Sequence, residues 1–390
     1  MIQTKLRGTG VALVTPFTKN GDVDYKGLEN VINHSIKGGV EYLVSLGTTG
    51  ESVTLSKEEK REILEFTIEK AAGRVPIVAG FGGNNTAELI KDIEGFHFNG
   101  VDAVLSVSPY YNKPTQEGIF QHYKAVAAAS PKPIILYNVP GRTGSNMLAS
   151  TTLRIANEVE NVIGMKEASG DFNQCMQIAK NKPKDFLLVS GDDNITLGLI
   201  AYGFDGVISV VGQAFPDIFT EMVRQALQGN VEKARELHYQ LNDITDMLFA
   251  EGNPGGVKYA LELQGVCESH VRLPLVGISD ALRSKMKETG EIDDKQLKSY
   301  NTAMEKTSRR YLYKQSSFFI ICEGIHPDEH AVVWIENNEY KGYGFYTPEL
   351  TPGTPESLRE ILKADEDDFE VHKIIRMQLR KMKNTKIIAY

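Results

Sequence analysis

A chain of 390 residues has room for one large α/β domain and a smaller module, with enough interior for a sizeable core. Its 41% hydrophobic and 24% charged residues exclude a disordered or fibrous chain, and no apolar stretch is long enough to span a bilayer. The formal charge of -8 argues against nucleic acid as a partner, and three scattered cysteines (Cys175, Cys267, Cys322) neither form a disulfide framework nor carry metal-ligand spacing. Residues Met1 to Arg7 lack the apolar run of a signal peptide, so the expected location is the cytoplasm.

Short runs rich in Val, Ile and Leu alternate with amphipathic stretches from the N-terminus onward. Gly10–Val14, Tyr42–Leu46, Pro76–Gly80 and Asp102–Val107 read as buried strands, as do Pro133–Tyr137, Val162–Lys166, Phe186–Val189 and Gly206–Val210. Ser56–Ala72 reads as a helix whose Ser56 and Glu59 suit a capping box; Ala87–Asn99, Gln116–Ala129 and Phe172–Asn181 share the helical pattern. Eight β–α alternations in about 210 residues predict a (β/α)8 TIM barrel over a doubly wound open sheet. Pro216–Gly229, Val231–Phe249 and Gly255–Leu263 follow as helices only, a C-terminal helical extension closing a domain of residues 1–292. Residues 293–390 differ in texture. Ser317–Cys322, Ala331–Ile335 and Tyr340–Tyr346 predict a three-stranded meander, and Pro355–Leu362 and Phe369–Lys381 predict helices, together a small α+β module of near-neutral charge.

In a barrel, chemistry belongs just past the C-terminal ends of strands. Four such places carry functional side chains: Gly47–Ser52, Ser108–Pro114, Tyr137–Gly144, and Lys166 at the end of the sixth strand. The glycine-rich loop with Thr48 and Thr49 offers backbone amides to a small carboxylate, and it lacks the Lys-Ser/Thr of a nucleotide loop. Lys166 follows an apolar run, which places a partly desolvated amine at the mouth of the sheet. A neutral amine adds to a ketone or aldehyde and forms a Schiff base. Two features read as decoys. Gly80–Asn85 imitates a dinucleotide fingerprint without its third glycine, and Asp192–Asp193 reads as a cap for the following helix rather than a metal site.

The motifs GTTGES (47–52), SVSPYYNKP (106–114), LYNVPGRTG (136–144), GMKEASGD (164–171), VSGDD (189–193) and GVISVV (206–211) stand in this order, followed by Asn253-Pro254 and Gly256-Val257-Lys258. Over residues 1–292 the sequence resembles the dihydrodipicolinate synthase family, part of the class I aldolase superfamily of N-acetylneuraminate lyase. The resemblance implies that Lys166 forms an imine with pyruvate. Tyr137 would move protons through a relay of Thr49 and Tyr111, the latter donated across a subunit interface. It further implies that Thr48 and the adjoining amides hold the pyruvate carboxylate, that Gly191 and Ile208 line the pocket through backbone contacts, and that Arg142 clamps the carboxylate of (S)-aspartate 4-semialdehyde. No metal or organic cofactor is implied, and a homotetramer, at least a dimer through Tyr111, is. Another pyruvate-dependent class I aldolase, of the N-acetylneuraminate lyase kind, is the alternative. Arg142 with the pair Tyr110-Tyr111 favours the synthase. A protein that only binds pyruvate is disfavoured by the intact relay.

In feedback-inhibited members lysine binds at positions matching Val53, Lys57, Lys60, Asn84, Glu88 and Tyr110. Lys57 and Lys60 replace the usual histidines, so repulsion of a cationic ligand and weak inhibition by lysine are expected. The last 90 or so residues are similar to the C-terminal region of certain bacterial exonuclease–endonuclease repair proteins. No exonuclease or GIY-YIG motif is present, so no nuclease activity is expected. Lys373, Arg376, Arg380, Lys381 and Lys383 fall partly on one helical face, read as a solvated face, with an oligomerisation, partner-binding or nucleic-acid-binding module as the alternative.

Overall fold

Strands covered by helices on one face and by the barrel interior on the other are buried on both sides, and the eight apolar runs have that composition. In the computed structural model, which describes residues 2–288, 317–323, 330–336, 339–347, 363–364 and 386–389, they form one closed parallel barrel. The strands are β1 (Gly8–Ala12), β2 (Tyr42–Ser45), β3 (Ile77–Gly80), β4 (Ala103–Val107), β5 (Ile134–Asn138), β6 (Val162–Glu167), β7 (Leu187–Ser190) and β8 (Gly206–Ser209). β8 returns to pair with β1, Gly10 opposite Ile208, and closes the ring. Each strand lies within two residues of its expected position. β1 starts at Gly8 and ends before Leu13, whose amide donates to the Val44 carbonyl at 3.0 Å as the chain leaves the barrel.

Inside the ring, Tyr42, Val44, Val78, Leu105, Ile135 and Val189 pack as one cluster, while a larger one joins the outer strand faces to the helices. Gly10 leaves the space for the fully buried Tyr42 ring; a Cβ there would lie 2.1 Å from a ring carbon.

Eight helices alternate with the strands: α1 (Tyr25–Lys37), α2 (Lys57–Ala71), α3 (Thr86–Glu94), α4 (Gln116–Ala129), α5 (Ala149–Glu158), α6 (Phe172–Asn181), α7 (Thr196–Ala201) and α8 (Pro216–Leu227). The expected capping box opens α2: Glu59 N donates to Ser56 Oγ at 3.1 Å, and Ser56 N donates to Glu59 Oε2 at 2.9 Å. α3 stops at Glu94 rather than running to Asn99, because Gly95 caps it and Phe96 and Phe98 turn back to stack around Phe81. α9 (Val231–Phe249) and α10 (Gly255–Leu263) form the extension, and residues 280–288 are helical.

The chain divides into two units, Met1–Thr289 and Gly290–Tyr390. The second holds an antiparallel sheet in which β9 (Phe318–Glu323), β10 (His330–Glu336) and β11 (Glu339–Tyr346) make the expected meander. Two further strands flank it, β12 (Lys363–Ala364) beside β11 and β13 (Lys386–Ala389) beside β9, giving the order β12-β11-β10-β9-β13. The helices expected at 355–362 and 369–381, and with them the basic face from Lys373 to Lys383, lie outside the described residues.

Candidate active site

The sixth strand delivers Lys166 to the barrel mouth next to Tyr137 of the fifth, the two residues standing opposite one another in the β5–β6 register. Both are buried, Lys166 at 5% exposure and Tyr137 at 7%. The Lys166 Nζ lies 4.4 Å from the centre of the Tyr137 ring, and among the described residues it has no carboxylate within ion-pair distance. The amine is therefore desolvated and uncompensated by a counter-charge, a setting that suits a nucleophile.

Gly191, just past β7, is what gives the lysine its room. A Cβ at this position would sit 2.7 Å from Lys166 Cε and 2.7 Å from the Ala168 methyl. Its amide donates to the Glu167 carbonyl at 2.8 Å, so the backbone has little room to yield. We expect Gly191→Ala to slow formation of a borohydride-trapped pyruvate adduct by roughly a hundredfold, since displacing a reacting group by about 1 Å costs that much. Mass spectrometry of the peptide containing residue 166 measures it, and a parental rate would refute this role for Gly191.

The glycine-rich loop after β2 brings Thr48 to the surface of the cleft and buries Thr49. Asn253 Nδ2 donates to Thr49 Oγ1 at 2.9 Å, which orients the hydroxyl. The loop is anchored from behind. Thr15 Oγ1 donates to the Gly50 carbonyl at 2.7 Å, and Glu51, held at φ 52°, reaches a fully buried ion pair with Lys258 at 2.5 Å. Lys258 also donates to the His270 carbonyl at 2.7 Å, and Arg272 N donates to Glu51 Oε2 at 3.0 Å. Burial holds the Lys258 ammonium below its usual range, although Glu51 pulls the other way.

A single cleft of about 1300 Å³ joins Thr48, Thr49, Tyr137, Arg142, Lys166 and Gly191. Arg142 sits on a short helical turn, Pro140–Thr143, with its guanidinium exposed and in no ion pair with a described residue. The cleft also reaches Val53, Lys57, Lys60 and Tyr110 at its outer end.

Other expected residues stand elsewhere. Tyr111 is 87% exposed, takes a left-handed backbone at φ 68°, and does not line the cleft of its own chain. Ile208 is buried within the barrel interior, and the wall at the end of β8 is Val210. Asn84 and Glu88 stay off the cleft; the Asn84 carbonyl accepts from Asn112 Nδ2 at 3.3 Å. Lys57 is not a free charge, because its ammonium pairs with Asp92 at 2.7 Å and Glu88 at 3.4 Å. The carboxylates hold its ammonium above the usual range, with Asp92 the larger cause. The electrostatic expectation at this end of the cleft is corrected accordingly. Lys60 alone of the two keeps a charge without an ion-pair partner among the described residues, and Glu88 is already engaged.

Asp193 also departs from expectation. It does not cap α7, which begins without a side-chain cap; its buried Oδ2 accepts from the amides of Val210 and Val211, each at 3.0 Å. Gly80 ends β3 and residues 81–85 form an irregular link to α3, where Asn85 Oδ1 accepts from Glu88 N. Asn253 was visible in the sequence only as part of a motif; its proximity to Thr49 comes from residues far apart in the chain. Among the described residues no cluster of His, Cys, Asp or Glu is placed to hold a metal, and no helix is long and apolar enough to cross a membrane.

Fold and site together define a (β/α)8-barrel protein whose cleft centres on a buried lysine amine at the C-terminal ends of the strands. The chain belongs to the dihydrodipicolinate synthetase family, whose model matches residues 5–292. It is 54% identical over 279 residues to the 4-hydroxy-tetrahydrodipicolinate synthase of Flavobacterium psychrophilum, a match covering 72% of this chain and 95% of that protein. The Parabacteroides distasonis protein of the same name is 50% identical over 288 residues, covering 74% and 97%. The crystal structure of dihydrodipicolinate synthase from Aquifex aeolicus superposes with a TM-score of 0.71 at 41% identity, covering 76% of this chain and 98% of that one.

Proposed function

We propose that the barrel is a 4-hydroxy-tetrahydrodipicolinate synthase, condensing pyruvate with (S)-aspartate 4-semialdehyde. The observation that carries the reading is the Lys166 amine, buried beside Tyr137 with no ion-pair partner among the described residues, with Gly191 clearing its path and Arg142 at the cleft mouth. Lys166 Nζ adds to the keto carbon of pyruvate, water leaves, and a protonated imine forms. That imine withdraws electrons from the methyl group, so Tyr137 can take a proton from it and leave an enamine. The enamine carbon attacks the aldehyde of the second substrate, whose oxygen takes up a proton. The substrate's own amine then adds to the imine carbon, closes the ring, and displaces Lys166 for another turn. The lysine imine is itself the electron sink, so the reaction calls for no organic cofactor or metal.

Thr48 and the loop amides suit the pyruvate carboxylate, and Thr49 passes protons between Tyr137 and Tyr111 of a second subunit. Gly191 and, at the end of β8, Val210 complete the wall of the pyruvate pocket. On this reading the enzyme is a carbon–oxygen lyase of lysine and diaminopimelate biosynthesis in the cytoplasm. It is a dimer at least, a homotetramer by the habit of the family.

Arg142 takes the carboxylate of the aldehyde through its planar fork. Arg142→Lys keeps the charge and loses the fork, so the KM for the semialdehyde is expected to rise about tenfold, a difference of about 1.4 kcal/mol. Pyruvate trapping should be unaffected. A coupled assay with both substrates, read against mass spectrometry of the borohydride-reduced pyruvate adduct, tests the whole reading: an adduct on Lys166 without turnover leaves a pyruvate binder, and neither leaves no enzyme of this kind.

A further inference from the structure

Catalysis by Lys166 and Tyr137 needs their separation held within narrow limits. Successive residues of a strand face opposite sides of the sheet, so Asn138 and Glu167 turn outward where Tyr137 and Lys166 turn into the barrel. The register sets Asn138 opposite Glu167, directly behind the inner pair. Asn138 Nδ2 donates to Glu167 Oε2 at 3.1 Å and to Oε1 at 3.2 Å. The same carboxylate accepts from Ser169 N at 2.6 Å and from Gln174 Nε2 at 3.1 Å. Glu167 is 1% exposed and has no cationic partner among the described residues. Desolvation raises its carboxyl above the usual range against the pull of these donors.

The network reaches the loop that carries Arg142. Asn138 Nδ2 also donates to Asn146 Oδ1 at 2.8 Å, Met147 N donates to Asn138 Oδ1 at 3.0 Å, and Asn146 Nδ2 donates to Gln174 Oε1 at 2.9 Å. Apolar side chains would join two strands and a helix without burying a charge. What directed hydrogen bonds add is a fixed geometry.

We propose that Asn138 and Glu167 are positioning residues, a clamp behind β5 and β6 that fixes the Tyr137–Lys166 separation and seats the Arg142 loop. The inference rests on the functional reading above. Glu167→Gln turns an amide donor toward groups that already donate, and Asn138→Asp sets two carboxylates face to face. The exchanged double variant, Asn138→Asp with Glu167→Gln, restores one carboxylate facing one amide. Adduct formation with pyruvate at Lys166 and the KM for the semialdehyde are measured for each, beside the parent, on protein shown to be folded by its thermal transition.

Both single variants are expected to form the adduct about tenfold more slowly and to raise the semialdehyde KM; the double variant should return to within about threefold of the parent, a coupling that separate losses cannot produce. A parent that traps no pyruvate overturns the functional reading, and the clamp with it. A parent that traps pyruvate, beside single variants that do so at its rate whatever their thermal midpoints, overturns the clamp alone. Should the single variants not fold, Gln174→Ala removes one donor and leaves the Asn138–Glu167 pair. It is expected to slow adduct formation about threefold, and an unchanged rate would overturn the clamp.

Discussion

Lys166→Met abolishes the pyruvate adduct and lowers turnover by roughly three orders of magnitude or more, the scale of losing a nucleophile outright. The methionine stem fills most of the space between the Tyr137 ring and Gly191, so packing changes little. The amine it removes is buried without a carboxylate partner among the described residues, which costs stability in the parent. The thermal midpoint is therefore expected to hold steady or rise while activity disappears, the exchange between stability and function that reactive sites impose. Differential scanning calorimetry and the coupled assay on the same preparation read both. A variant that keeps turnover refutes the imine mechanism, and a strongly lowered midpoint refutes the view that the amine is uncompensated.

Lys258→Met has the opposite signature. It leaves Glu51 fully buried with its cationic partner gone and, among the described residues, only the Arg272 amide still donating to it. Stranding one member of a buried pair costs about 3–5 kcal/mol, more than most single substitutions. Glu51→Gln in the same background removes the stranded charge and is expected to recover a large part of the loss, as a double-mutant cycle in urea would show. Because Thr48 and Thr49 precede Glu51 on the same loop, the KM for pyruvate should rise in the single variant and fall back in the double. A single variant as stable as the parent would mean that Lys258 and Glu51 do not depend on each other.

The barrel was legible because its eight strands are short apolar runs at even spacing, which only a sheet buried on both faces explains. Helices with plain signals were legible too: α4, α6 and α9 match their expected bounds to the residue. Others had no legible bounds, for local reasons. α1 carries Asn30, Asn33, His34 and Ser35, poor helix formers whose cost tertiary packing of Leu28, Val31 and Ile32 overcomes. α5 carries Ser150, Thr151 and Thr152 in its first turn with no side-chain cap, and α7, expected after Asp193 but without bounds, is only six residues long.

At the site, strand-end positions pointed to Lys166, Tyr137 and Arg142. The surroundings of those residues were not legible, since they depend on contacts across the chain. Lys57 meets Asp92 from the next helix, Asp193 meets amides at the end of β8, and Thr49 meets Asn253 beyond α9. β13 is a four-residue strand whose only signal is two adjacent isoleucines, and its pairing with β9 could not be read locally.

Two of the ties that set the threonine loop, from Asn253 and Lys258, reach back across 204 and 207 residues of sequence. A chain emerging from the ribosome therefore completes all eight strands before these two tethers exist, although the Thr15 tie to Gly50 is available from the start. Lys166 is therefore in place on its strand before the loop that shares its cleft is fully anchored, and the eight strands alone do not finish the site.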